Sequence, residues 1–167
     1  MTIEEAIKAA IKLEIQVRDV YQDAAESSKD PVGKRIFSLL ASEEQGHHDY
    51  LKAKLNEWEK NGKISVEELN SAVPSKEDTM AFVNKLKDDM AAEERGGELQ
   101  MLSKAFDIES KTNDFYKKMT RELPLEGKQM FSRFVEIEED HLAIVQAEID
   151  YLTKTGYWFD MKEFDME

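Results

Sequence analysis

The sequence contains no cysteine. That excludes a disulfide framework, thiolate-bound zinc, iron–sulfur or rubredoxin-type iron, and any thiol nucleophile. Glycine and proline are scarce, 7 and 3 in 167 residues, so breaks are few and long regular segments are expected. Basic residues are outnumbered, 23 Lys and Arg against 36 Asp and Glu, for a net charge of −13 with His neutral. A field of that sign repels phosphate backbones and anionic lipid, so no nucleic acid and no membrane is an expected partner, whereas small cations are. No apolar run reaches the length of a membrane span. The opening MTIEEAIKAA carries acid where a signal peptide needs a basic start and an apolar stretch. The expectation is one cytoplasmic domain, because 41% hydrophobic content in 167 residues sustains a single sizeable core.

Few stretches alternate with the two-residue period of a half-buried strand, so the chain reads as nearly all helix. Thr2 with Glu5 forms a capping box, and helical spacing runs from Ile3 until Ser27, Ser28, Lys29 and Asp30 break it. Asp30 followed by Pro31 is an N-cap with proline at the first helical position, and this second segment runs through Trp58 to Asn61 and Gly62. Residues 63–95 read as a long crossover with short helix of its own. Ser65 with Glu68 suggests a capping box there, Pro74 and Ser75 reset the chain, and Met80, Val83, Leu86 and Met90 mark an apolar face. Gly96 and Gly97 precede a third long segment ending near Leu123 and Pro124, and a fourth runs from about Leu125 to Lys154 and stops at Gly156. Residues 1–154 are therefore expected to form an all-α four-helix bundle joined short, long, short, with one crossover. Residues 155–167 form an aromatic and acidic tail, in which Tyr157, Trp158 and Phe159 are expected to pack on the bundle or on a second subunit.

The chain also repeats itself. Ala10-Ile11-Lys12-Leu13-Glu14 returns as Ala105-Phe106-Asp107-Ile108-Glu109, with Tyr21 and Tyr116 each seven positions after the Glu. Phe37 and Ser38 leading to Glu44 and His47 return as Phe131 and Ser132 leading to Glu138 and His141. The offsets are 95 and 94 positions, so the protein reads as a duplicated helical hairpin with a pseudo-twofold site between its halves.

Apolar stripes at alternating three- and four-residue steps show where the polar groups point. They are Ile7, Ala10, Glu14, Val17, Tyr21, Ala24 in the first helix and Phe37, Leu40, Glu44, His47, Leu51, Leu55, Trp58 in the second. In the third they are Leu102, Ala105, Glu109, Thr112, Tyr116, Met119, Leu123, and in the fourth Phe131, Phe134, Glu138, His141, Val145, Ile149, Leu152. Four carboxylates and two imidazoles thus interrupt otherwise apolar faces. Each buried ion carries a desolvation penalty of several kcal/mol, so something positive must sit among them. No Lys or Arg lies on the stripes, although Arg18 borders one, and a metal pair is the economical answer. Glu oxygen with imidazole nitrogen suits iron or manganese, with zinc feasible. Glu and His three residues apart reach one region from adjacent turns. Tyr21 and Tyr116 lie on the same faces, where they either hydrogen-bond the carboxylates or fill the core. His48, Asp19 and Asp114 read as surface or interhelix groups, and Glu43 and Glu139 as solvated or as neighbours of the ligands.

These residues resemble the ferritin-like di-iron carboxylate proteins and, within them, the rubrerythrin branch. The resemblance covers Ile3 to Leu152 and rests on Glu14, Glu44-x-x-His47, Glu109 and Glu138-x-x-His141, with Tyr21 and Tyr116 in support. It implies a ferritin-like bundle holding two iron ions. Glu44 and Glu138 would bridge them, and Glu14, Glu109, His47 and His141 would be terminal ligands. The chemistry it implies is reaction of the di-ferrous form with peroxide or dioxygen. Two departures stand out. Full-length rubrerythrins carry a rubredoxin-like domain with four Cys, so here a separate electron donor such as a rubredoxin is expected. Rubrerythrins also place a further Glu one turn beyond the third-helix ligand, where this chain has Thr112, leaving the four-Glu, two-His set of a bacterioferritin. Met101, Met119 and Met130 read as core filler and not as haem ligands. The leading expectation is a peroxide-reducing oxidoreductase that forms a homodimer, as family members commonly assemble. A ferroxidase handling iron and a non-catalytic metal-binding or scaffold bundle are the other readings.

Overall fold

In a computed structural model describing residues 1–65, 69–85 and 96–159, the chain forms five helices and, among the described residues, no strand. They are α1 (Ile3–Ser27), α2 (Pro31–Asn61), α3 (Lys76–Lys85), α4 (Gly96–Glu122) and α5 (Leu125–Thr155). No described helix is long and apolar enough to cross a membrane.

The helix ends follow from local chemistry. The Thr2 hydroxyl accepts the Glu5 amide at 3.1 Å and donates to the Glu5 carboxylate at 3.2 Å, so the capping box closes through the hydroxyl. Asp30 accepts the Val32 amide at 2.8 Å with Pro31 in the first turn of α2. The Lys34 ammonium caps the far end of α1 on the Ala25 and Glu26 carbonyls. Gly62 (φ 64°) and Gly156 (φ 78°) end α2 and α5 in the left-handed region that favours glycine. Ser75 caps α3 by accepting the Asp78 amide at 3.1 Å. Residues 66–68 with Glu68, residues 86–95 with Leu86 and Met90, the side chain of Val83, and tail residues 160–167 lie outside the described set.

α1 pairs with α2 and α4 with α5 as two hairpins, α1 also packs on α4, and α3 lies along α5. Two apolar clusters result. One gathers Val17, Tyr21, Phe37, Leu40, Leu102, Val145, Leu152 and Trp158, and the other gathers Ile3, Ile7, Leu51, Tyr116, Met119, Met130, Phe131 and Phe134. Glu14, Glu44, Glu109 and Glu138 fall between the members of these clusters on every long helix. The polar site is therefore walled by hydrocarbon above and below.

The apolar stripes of α1 and α4 are buried as read. Those of α2 and α5 drift by one residue in their last turns. Lys54 is buried where Leu55 was expected, and Glu148 where Ile149 was expected, with Leu55, Trp58 and Ile149 only partly covered. Both drifts have one cause. Lys54 turns inward to donate to the Ser65 carbonyl at 2.5 Å, and Glu148 to accept the Phe159 amide at 3.1 Å. Each side chain thus ties down the segment that follows its own helix. Met80 is 55% exposed, contrary to its expected place on an apolar face, because α3 turns Thr79 toward the bundle instead. The start of the tail packs on the bundle. Trp158 sits edge-on to Phe37 at 5.3 Å and its indole N–H donates to Glu98, a buried carboxylate that also accepts from Ser28 at 2.9 Å and from the Lys29 amide at 3.0 Å.

Gly33 lies where a Cβ would meet Ser28 Oγ at 2.7 Å and the Trp158 ring at 2.8 Å, whereas a Cβ at Gly46 meets nothing. Gly33→Ala is expected to cost about 1–3 kcal/mol by overpacking and to shift Trp158 fluorescence in a Trp58→Phe background. Gly46→Ala should gain about 0.5–1 kcal/mol from helix propensity alone. Urea titration of both variants checks the pair, and equal stabilities would refute the close approach of Trp158 to α2.

Candidate metal centre

The structure brings the six predicted groups together at the centre of the bundle. Glu14 comes from α1, Glu44 and His47 from α2, Glu109 from α4, and Glu138 and His141 from α5, each no more than 2% exposed. The two imidazoles stack with centroids 5.6 Å apart and planes 13° from parallel. His47 Nδ1 lies 3.4 Å from Glu14 Oε2, 3.4 Å from Glu44 Oε2 and 3.3 Å from Glu138 Oε1. His141 Nδ1 lies 2.8 Å from Glu44 Oε1, 3.3 Å from Glu109 Oε1 and 3.9 Å from Glu138 Oε2. Glu44 and Glu138 therefore turn one oxygen to each imidazole, while Glu14 and Glu109 each serve one side. Two overlapping sets result, Glu14, Glu44, His47, Glu138 and Glu44, Glu109, Glu138, His141, in each of which the donor atoms lie within 4.8 Å of one another.

The donor set fits a cation pair. Glu14 Oε2, Glu44 Oε2, Glu109 Oε2, both Glu138 oxygens and His47 Nδ1 are buried with no hydrogen-bond partner among the described residues. Leaving such atoms unsatisfied is costly, and their convergence on one region identifies the kind of partner that satisfies them all. Arg18 is turned away, binding Gln45 and Asp19. Two divalent cations would neutralise four carboxylates, and oxygen with imidazole nitrogen suits iron or manganese.

Burial raises both tyrosine hydroxyls well above their ordinary range, and the neighbouring carboxylates, Glu109 at Tyr21 and Glu14 at Tyr116, add to it. Both tyrosines therefore act as donors across the bundle: Tyr21 to Glu109 Oε1 at 2.8 Å, and Tyr116 to Glu14 Oε1. Each half holds the terminal glutamate of the other. Thr112 is buried one turn beyond Glu109, but its hydroxyl donates to the Ile108 carbonyl of its own helix at 2.9 Å. His48 sits apart beside Asp49, and Asp19 and Asp114 are exposed. Glu139 is half-exposed near Lys117.

Glu43 does more than its sequence position suggested. It accepts from the Ser71 hydroxyl and, at 3.1 Å, from the Ala72 amide of the crossover, and it lies 3.3 Å from His141 Nε2. Burial raises its carboxyl, but His141, Ser71 and Ala72 outweigh that and hold it at about 2. Periodicity could not reveal this contact, because half of it comes from a non-helical stretch.

A family model described as Rubrerythrin matches residues 5–97, more than half of the chain. The match contains Glu14, Glu44 and His47, and the second half of the site lies beyond it. No curated protein and no solved structure matches the chain.

Protonation ties the site to pH. Burial raises the Glu44 and Glu138 carboxyls well above 4.5, and the neighbouring carboxylates add to it. Burial lowers both imidazoles, but Glu14 and Glu44 around His47, and Glu109, Glu43 and Glu44 around His141, more than reverse it and raise them well above 6.5. Burial also raises Glu14 and Glu109, yet His47 beside Glu14 leaves that carboxyl lowered, and Glu138 and His141 beside Glu109 hold it at about 2. In the metal-free protein the raised groups bind protons that the unfolded chain has lost, so their stabilisation is complete below the unfolded values and disappears as pH rises through the folded ones. Glu14 and Glu109 act oppositely, stabilising above 4.5 and losing that contribution toward acid. The metal-free melting temperature is expected to fall by several degrees between about pH 6.5 and 9, while the increment from added Mn(II) or Fe(II) grows. A metal-free melting temperature that is flat or rising over that interval would contradict this assignment.

Proposed function

The chain belongs to the rubrerythrin family, and on that premise we propose that it is a di-iron oxidoreductase reducing hydrogen peroxide, or less readily dioxygen, with electrons from a separate protein donor. The observation that carries this reading is the cluster itself: four fully buried glutamates, two of which turn an oxygen to each of two stacked imidazoles. Glu44 and Glu138 would bridge two irons, with Glu14 and His47 completing one position and Glu109 and His141 the other. When bound, two ferrous irons supply the two electrons that cleave the O–O bond of peroxide, which with two protons yields two waters.

The protein's own residues supply geometry and exclusion. Phe134 packs edge-on to His47 at 5.3 Å and sets hydrocarbon against that side of the site. Tyr21 and Tyr116 fix the rotamers of Glu109 and Glu14, so the terminal carboxylates need no reorganisation when charge changes between them. The absence of cysteine from these 167 residues leaves them no thiolate centre of their own, which supports an external donor. A homodimer remains part of the proposal.

Anaerobic reconstitution is expected to load about two irons per chain, and one equivalent of peroxide should produce an oxo-ferric absorbance band. Glu44→Ala and Glu138→Ala should abolish both the loading and peroxide turnover while circular dichroism stays helical. Unchanged turnover in these variants would sink the reading in favour of a non-catalytic bundle. Continued oxidation of many Fe(II) equivalents without a reductant would favour iron handling.

A further inference from the structure

The two halves of the site are related by the repeat, but their imidazoles are not supported alike. His141 presents Nδ1 to the cluster and Nε2 to Glu43, 3.3 Å away. His47 presents Nδ1 to the cluster in the same way, but its Nε2 is buried and makes no hydrogen bond among the described residues. The repeat explains the difference. An offset of 94 carries Glu44 onto Glu138 and His47 onto His141, and it carries Glu43 onto Ile137, a fully buried hydrocarbon. Glu43 is itself fixed, because Ser71 and Ala72 of the crossover donate to its two oxygens. Ile137 has no polar atom with which to face His47, so the crossover's donors have nothing equivalent to hold there.

We propose that Glu43 is a positioning residue that makes the two metal positions inequivalent. By accepting the Nε2–H of His141 it fixes that ring's tautomer and orientation and strengthens Nδ1 as a donor, so the position of Glu109 and His141 fills first and holds its metal longer. The position of Glu14 and His47, whose imidazole has no such partner among the described residues, is the weaker and more exchangeable one. A carboxylate behind a ligating histidine is worth about 10–100-fold in metal affinity when removed. The inference rests on the dinuclear reading above. The experiment separates the two: the number of metal equivalents tests that reading, and the gap between them tests this one.

The experiment is an anaerobic calorimetric titration of the metal-free full chain with Mn(II), repeated with Co(II) to follow ligand-field absorbance. Wild type is expected to bind two equivalents in resolved steps. Glu43→Gln should weaken the tighter step by about 10-fold or more and leave the weaker one unchanged, merging the two. Ser71→Ala, which frees from the crossover the Glu43 oxygen that faces His141, should weaken the tighter step in the same direction but by less than Glu43→Gln. Binding of fewer than two equivalents by wild type would overturn the dinuclear reading. Two equivalents with equal affinities, or an equal loss at both in Glu43→Gln, would overturn the role of Glu43 alone. Should Glu43→Gln fail to fold, nitrogen-15 NMR of the zinc-loaded wild type decides. One histidine Nε2–H shifted downfield and protected from exchange, with the other unshifted, supports the proposal, and two alike refute it.

Discussion

Everything in this molecule turns on placing four carboxylates in a region from which water is excluded. Isolated, each would carry a desolvation penalty of several kcal/mol, and mutual repulsion would add to it. Two charge arrangements meet the demand. With Glu44 and Glu138 protonated and both imidazoles charged, two negative and two positive groups remain. With two divalent cations and neutral imidazoles, four negative charges face four positive. The six groups balance in both, so metal can replace protons without leaving net charge among them. The two hydrophobic clusters put an apolar wall on each side of that exchange.

Duplication builds this economically. Each hairpin contributes one glutamate that serves both positions, one that serves a single position, one histidine and one tyrosine. A hairpin alone would present two carboxylates and one imidazole on an apolar face, with nothing opposite to neutralise or cover them. The tyrosines make the dependence explicit, since each hydroxyl holds the terminal carboxylate of the other half. The same economy appears away from the site. Gly62 and Gly156, also 94 positions apart, end their helices in the same left-handed conformation. Lys54 and Glu148, at the same offset, hold the segments that follow.

Sequence reading reached the helices, the connectivity and the inward faces of α1 and α4 because each is set by periodicity or by a cap, both of which are local. It failed at the last turns of α2 and α5 for a physical reason. Alternating three- and four-residue steps favoured Leu55 and Ile149, but the buried positions there are decided by hydrogen bonds to non-helical neighbours, and a long Lys or Glu side chain reaches those neighbours where Leu and Ile cannot. Glu98 escaped notice for the same reason, since its partners are the α1–α2 turn and an indole from the tail. Glu43 was visible as a carboxylate beside a ligand. Its asymmetry with Ile137 was also readable from the repeat, but the crossover amide and hydroxyl that fix it were not.

The crossover is consequently more than a tether. A symmetric pair of hairpins would give each metal position the same surroundings, and two identical sites offer no basis for one to bind or exchange before the other. The long segment that joins the hairpins breaks that equivalence, because among the described residues it donates to Glu43, which faces one histidine, whereas position 137 opposite the other is hydrocarbon. It runs against both α2 and α5, and at α2 Ser71 and Ala72 hold the carboxylate that faces His141. The covalent fact of a single chain is thereby converted into a chemical difference between two sites built from the same repeated sequence.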